Sequence, residues 1–148
     1  MSYSQMMIGN QESIGDVLEL FISKKPVNQI IVDVKGIIGD KFYAKNIDRS
    51  ILISSVDSYK MAQEIGVSLE FGKLGENILI EYNPYNLESG TRIEIGEVIL
   101  EISQKCTLCK SLTKIDSKLP KLLKDDRGIF SKVIRGGTIN KRDKIYIV

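Results

Sequence analysis

The chain has 148 residues, 43% of them hydrophobic and 27% charged, with a formal net charge of +2, two cysteines and no histidine. That length suits one domain with its own core. No apolar run approaches the ~18 residues of a membrane-spanning helix, and the opening MSYSQMMIGNQESIGD is not that of a signal peptide. A cytoplasmic protein with reduced thiols and no structural disulfide is expected, and the missing histidine excludes Ser-His and Cys-His catalytic pairs and every histidine metal site.

In chain order, ESIGDVLELF (12–21) is compatible with either a helix or a strand. NQIIVDV (28–34) is a β-branched run that ends at KGIIGD. RSILISS is a strand leading into SSVDSYKMAQEIG, a helix with serines as candidate caps, Gly66 as its stop, and Val56, Tyr59, Met61 and Ile65 available for burial. GENILIEY is a strand closed by NPYN, and TRIEIGEVILEIS alternates apolar and polar residues on either side of Gly96, which predicts two strands joined by a tight turn. In SLTKIDSKLPKLLKDDRG, Leu112, Ile115, Leu119 and Leu122 recur at three- and four-residue steps, and Pro120 limits the segment to a short helix. RGIFSKVIRGG and DKIYIV form a final strand pair linked at Gly136-Gly137. Six or more strands with two or three short helices predict a mainly β protein, a closed or partly closed barrel, since too few helical crossovers exist for a parallel α/β sheet. Neither repeats nor linkers divide residues 1–148 into further domains.

Charge is uneven. Residues 1–104 carry 9 Lys/Arg against 15 Asp/Glu, a net −6, whereas residues 105–148 carry 12 against 4, a net +8. The basic segment suggests an anionic partner, or a solvated face. No aromatic-rich basic patch or nucleic-acid motif accompanies it, which argues against nucleic acid.

The chemistry-bearing candidates gather around CTLC (106–109), which holds both cysteines. Structural zinc needs four ligands, and two thiols without histidine do not supply them. A dithiol redox couple belongs at a helix N-terminus within a βαβ frame, which this β-rich pattern does not provide. Two readings stay open: small apolar residues buried at a strand end, or a reactive thiol whose thiolate is favoured by the flanking Lys105 and Lys110 and suits a soft metal. Asp40 of GIIGD and Glu76 and Asn77 of GENI are turn-makers or polar site residues. Arg49 precedes an apolar strand, where a planar five-donor group can reach a phosphate.

In order, GIIGD (36–40), DRSILIS (48–54), FGKLGENI (71–78), GTRIEIGEVILEISQ (90–104) ahead of a cysteine, and RGIFSKVIRGGTINKRDKI (127–145) resemble the MOSC family, named for the C-terminal domain of molybdenum cofactor sulfurase. The resemblance covers about residues 27–148. It implies a β-barrel that handles the molybdenum cofactor, a pyranopterin, or the sulfur destined for it. In such proteins a cysteine ligates molybdenum in a reductase of N-hydroxylated compounds, or the domain accompanies a pyridoxal-phosphate-dependent desulfurase. The family cysteine commonly falls five residues after the Gln of the EISQ-like strand and precedes lysine and leucine; here that is Cys109, with Cys106 in the place of a second cysteine. Cys109 is thus the expected molybdenum ligand or sulfur acceptor, with Cys106, Arg49, Asp40, Glu76, Asn77 and Lys110 around the cofactor. A desulfurase or an electron-donor protein is the expected partner. Three positions depart from the pattern: Phe42 stands at the usual histidine, Ser50 at a glutamine and Arg142 at a glycine. The resemblance also allows a persulfide carrier, or a regulatory barrel without chemistry, which Phe42 would suit.

Overall fold

The computed structural model describes residues 12–107 and 110–148. The first segment is a strand, β1 (Gly15–Ile22), which settles the helix-or-strand question: its buried positions fall where barrel neighbours need them. β2 (Lys25–Val27), β3 (Gln29–Asp33) and β4 (Gly36–Ile37) follow, and a turn of 3-10 helix at Ile47–Arg49 leads to β5 (Ile51–Ser55) and helix α1 (Val56–Glu64). β6 (Ile78–Ile80), β7 (Arg92–Ile95) and β8 (Val98–Lys105) precede two short helices, α2 (Lys110–Thr113) and α3 (Leu119–Leu122). The chain finishes with β9 (Ile129–Arg135), β10 (Gly137–Asn140) and β11 (Lys144–Ile147).

Seven strands close into a barrel in the order β11-β7-β8-β9-β5-β6-β1, with β1 returning to β11. β2 extends the sheet as a hairpin on β1, and β10-β3-β4 form a small second sheet. Closure satisfies the backbone groups that an edge would leave unpaired. The two strands around Gly96 pair as expected, Ile95 against Val98. The expected β9–β11 pair does not form: β9 lies between β8 and β5, β11 lies between β7 and β1, and the Gly136-Gly137 step sends the chain into β10 against β3. The glycines permit that departure, since Gly137 has φ +149 and a Cβ on Gly136 would meet the backbone of Asp33.

Alternation along the strands divides the apolar residues into two cores. Ile51, Ile53, Ile78 and Ile80 point into the barrel with Val17, Leu100, Ile129 and Ile145. Leu79, between Ile78 and Ile80, points outward and packs with Tyr59, Ala62, Leu74, Leu112, Leu119 and Leu123 of the helical layer. Helix α1 has the expected cap, Ser55 Oγ accepting from Asp57 N, and stops before Gly66 at φ +85. Pro120 sits in the first turn of α3. In this segment Leu123 joins Leu112 and Leu119 in the buried layer, Leu122 only flanks it, and Ile115 is exposed. The turn between α2 and α3 breaks the helical period that would have carried Ile115 inward. Among the described residues no helix is long and apolar enough to cross a membrane.

Candidate functional site

A cavity of about 420 Å³ opens on the outer flank of β5 and β9, beyond Leu52. Four stretches wall it: the β1–β2 hairpin tip, the 40–50 loop, the 73–77 loop, and the region that brings Cys106, Ser111 and Arg127 together. Among the described residues six cationic side chains line it, Lys24, Lys41, Lys45, Arg49, Lys73 and Arg127, against the single carboxylate of Asp40. A cleft lined by one sign of charge concentrates counter-ions of the other. Among the described residues, five of these six cations come from the net acidic first 104 residues and Arg127 from the basic segment. The sequence halves therefore mislead: folding, not local composition, assembles the positive site.

Asp40, Glu76 and Asn77 are brought together but serve the wall. The Asp40 carboxylate accepts from Ser23 N at 2.8 Å, Phe42 N at 3.1 Å and Asn77 Nδ2 at 3.3 Å, tying the hairpin tip to the 40–42 loop. Asn77 replaces a strand residue. Its Oδ1 accepts from Leu52 N at 3.0 Å and its Nδ2 donates to Phe21 O at 3.3 Å, while its own N–H and C=O bond Leu52 O and Phe21 N. It thus splices β5 to β1 at the end of β6. Glu76, 1% exposed, lies behind the cavity, where Oε2 accepts from Tyr59 Oη at 2.6 Å and Gly72 N at 3.2 Å. Burial pushes the Glu76 carboxyl above its ordinary range, and the Tyr59 bond pulls the other way. Burial and the neighbouring Glu76 charge raise the Tyr59 phenol, which stays protonated as the donor.

Arg49 does reach the cavity. Its guanidinium lies over the Phe130 ring, 4.5 Å from the centroid, which fixes the planar group against one wall. Phe42, at the family's histidine position, is 56% exposed at the cavity, with Lys41 Nζ 5.1 Å from its ring. Cys106 lines the cavity as a free thiol, 3% exposed, fixed just past β8 by its N–H bonding Gly128 O at 2.9 Å. Cys106 is thus a buried residue at a strand end, as one reading had it, and it also borders the cavity. Cys109 and the side chain of Lys110 lie outside the described residues.

Arg127 is the residue sequence reasoning missed. Its Nε and Nη2 donate to Leu74 O at 3.2 and 3.0 Å and Nη2 to Ser111 Oγ at 3.1 Å, while buried Nη1 has no partner among the described residues. Its carbonyl is gripped by Ser54 Oγ at 2.7 Å and Tyr85 Oη at 3.3 Å, and Ser58 Oγ donates to the preceding Asp126 carbonyl. Burial pushes the Tyr85 phenol up to about 12, so it remains a donor at neutral pH. The signal was the RG step: a Cβ at Gly128 would lie 2.8 Å from Leu52 Cδ1, so the chain beside Arg127 passes closer to β5 than a side chain permits. Lys24, Lys73 and Ser111 were also missed, being ordinary surface types; Lys73 lies within FGKLGENI, but only its Glu76 and Asn77 were singled out there.

Among the described residues no group of three or more His, Cys, Asp or Glu side chains could hold a metal ion. The family profile for the MOSC domain matches residues 4–146. The chain belongs to the MOSC family. Among solved structures, the YuaD protein from Bacillus subtilis is 20% identical with a TM-score of 0.74, over 93% of this chain and 94% of that one. YiiM from Escherichia coli is 20% identical with a TM-score of 0.73, over 90% of this chain and 69% of that one. YiiM from Geobacillus stearothermophilus is 18% identical with a TM-score of 0.69, over 92% and 73%. These likenesses establish the MOSC barrel. No curated protein matches the sequence significantly.

Proposed function

We propose that this MOSC domain binds a phosphate-bearing pyranopterin, the molybdenum cofactor, in the cavity beside Cys106. The observation that carries the reading is the buried Arg127, its Nη1 without a partner among the described residues, in a cavity that they line with six cations and the Cys106 thiol. A buried donor without a partner costs about 1–3 kcal/mol, a cost that a bound anion able to reach it would offset. The donor set fits the group. A pyranopterin brings its own sulfur ligands to molybdenum, so the protein need add no more than one thiolate, and the missing metal cluster is no obstacle. Arg49, held flat on Phe130, and the lysines at the mouth would hold the phosphate and shield its charge. When bound, the group would supply two-electron chemistry at the metal.

Cys106 is the thiol that the cavity presents, and Cys109 is the one the family pattern favours; the test separates them. Cys106 is too buried to exchange sulfur readily, so a persulfide-carrier role would fall to Cys109. The chain is expressed in cells that make the cofactor, and molybdenum and pterin fluorescence are measured on wild type, C106S, C109S and R127M. Equimolar metal and pterin in wild type are expected, with metal lost in the variant that removes the ligand and pterin lost in R127M. Absence of both from wild type would sink the reading. Persulfide on Cys109 after incubation with a desulfurase and cysteine, without bound metal, would replace it with the carrier.

A further inference from the structure

Two buried polar atoms at the cavity wall have no partner among the described residues, and they belong to groups of opposite charge: Arg127 Nη1 and Glu76 Oε1. The two groups are held close without bonding each other. Arg127 Nε and Nη2 grip Leu74 O, and a Cβ on Gly75 would lie 3.8 Å from Nη2, so the guanidinium packs on the two residues that precede Glu76. Tyr59 Oη ties the same stretch from the other side, donating to Glu76 Oε2 and accepting from Leu74 N. Glu76 is therefore faced by the Tyr59 phenol of α1, by Gly72 N–H of the 71–75 loop and by Arg127 from the segment ahead of β9, with the Tyr85 phenol within reach of its charge. Both phenols stay protonated, which leaves Arg127 as the cation that steadies the Glu76 carboxylate. Asp40, the carboxylate beyond Asn77, is already held by Ser23, Phe42 and Asn77.

An anion that reaches Nη1 takes up the positive charge on which the Glu76 carboxylate depends. That carboxylate is 1% exposed and cut off from water, so a proton is what then stabilises it. We propose that the cavity takes its anion together with one proton, which Glu76 holds. The anion site at Arg127 rests on the reading above; the coupling of Arg127 to Glu76 stands on the two orphaned atoms and the loop between them. The chain has no histidine, so the usual proton acceptor near neutral pH is missing and a buried carboxyl takes its place. By linkage, an anion whose binding adds a proton binds more tightly as pH falls.

Sulfate is the probe, because its charge is constant across the range tested. The ligand-free chain is titrated calorimetrically with sulfate from about pH 5 to about pH 7, in two buffers of different ionisation enthalpy. Wild type should take up protons on binding, and its affinity should rise about tenfold toward the acid end. E76Q keeps an acceptor for Tyr59 and should bind at the tighter value, with neither proton uptake nor pH dependence; R127M should not bind. A second arm needs no ligand: carboxyl-carbon NMR should show Glu76 titrating higher in R127M than in wild type. Sulfate binding without proton uptake, E76Q as pH-dependent as wild type, or an unchanged Glu76 titration in R127M overturns the coupling; should R127M not fold, E76Q alone decides. Failure of wild type to bind sulfate at any pH overturns the anion site and the proposal with it. Sulfate binding with proton uptake by a chain that never acquires pterin overturns only the pterin reading.

Discussion

Removing the Tyr59 hydroxyl tests how the 71–75 loop at the cavity wall is held. One oxygen carries three bonds: it donates to Glu76 Oε2 at 2.6 Å and accepts from Gly72 N at 2.9 Å and Leu74 N at 3.3 Å. In Y59F the ring keeps its packing and Gly72 N keeps its longer bond to Glu76 at 3.2 Å. Leu74 N–H is left without a partner, at a cost of about 1–3 kcal/mol, and Glu76 loses a charge-assisted bond worth roughly 1.5–3 kcal/mol. Together the loss is about 3–5 kcal/mol, a large part of the ~5–15 kcal/mol that stabilises a domain.

The pH dependence gives the prediction a second arm. Burial lifts the folded-state pKa of Glu76 above its ordinary 4.5, so the native state binds more protons than the unfolded chain between those two values. Stability therefore falls as pH rises through that window. The Tyr59 bond holds the folded value down; without it the window widens upward, and the deficit of Y59F should be larger near neutral pH than at about pH 4. Urea unfolding of both proteins at the two pH values measures it. A neutral-pH deficit below about 1 kcal/mol, or one identical at both pH values, would refute the account of the loop.

Two further outcomes follow from the backbone. G128A should destabilise by about 1–3 kcal/mol, read by urea unfolding, because its Cβ would press on Leu52 and on Ser54 Oγ at 3.1 Å. R142G and K24G should each raise stability by about 1 kcal/mol, read as melting temperature, since both residues hold positive φ, +77 and +70. They should part at the site: R142G should leave pterin content alone, and K24G should lower it, because Lys24 lines the cavity.

What could be read in advance divides by range of interaction. The strands around Gly96 and helix α1 were legible because their signals are local: alternation, a serine cap, a glycine stop. The partners of β9 and β11 were not, because adjacency in sequence says nothing of which edge each strand meets in a closed barrel. The site shows the same split. Arg49, Cys106, Asp40 and Asn77 were legible by type and do line the cavity, although Asp40 and Asn77 also spend their polar atoms on hydrogen bonds within the wall, and Glu76 lies behind it. Arg127 opens the RGIFSKVIRGG segment, but nothing local there marked it as a buried cavity residue rather than a surface charge. The unusual arginine at position 142 turns out to occupy a glycine's backbone conformation, φ +77, so that departure from the family pattern is conformational.

Barrel closure also bears on how the chain reaches its fold. β1 pairs with β11 through Gly15 and Ile145, residues at opposite ends of the barrel sequence. During synthesis β1 emerges first; β2 and then β6 cover its two edges, but the Gly15–Asp16 end stays open on the β2 side until β11 leaves the ribosome. Such an edge is a template for wrong pairing, and contacts so distant along the chain form slowly. The lysines and carboxylates that alternate with its apolar residues, Asp16 and Glu19 on β1 and Lys144 on β11, therefore have a task before folding ends: they keep an unclosed barrel soluble, and Asp16 and Lys144 then meet across the finished seam at 3.3 Å.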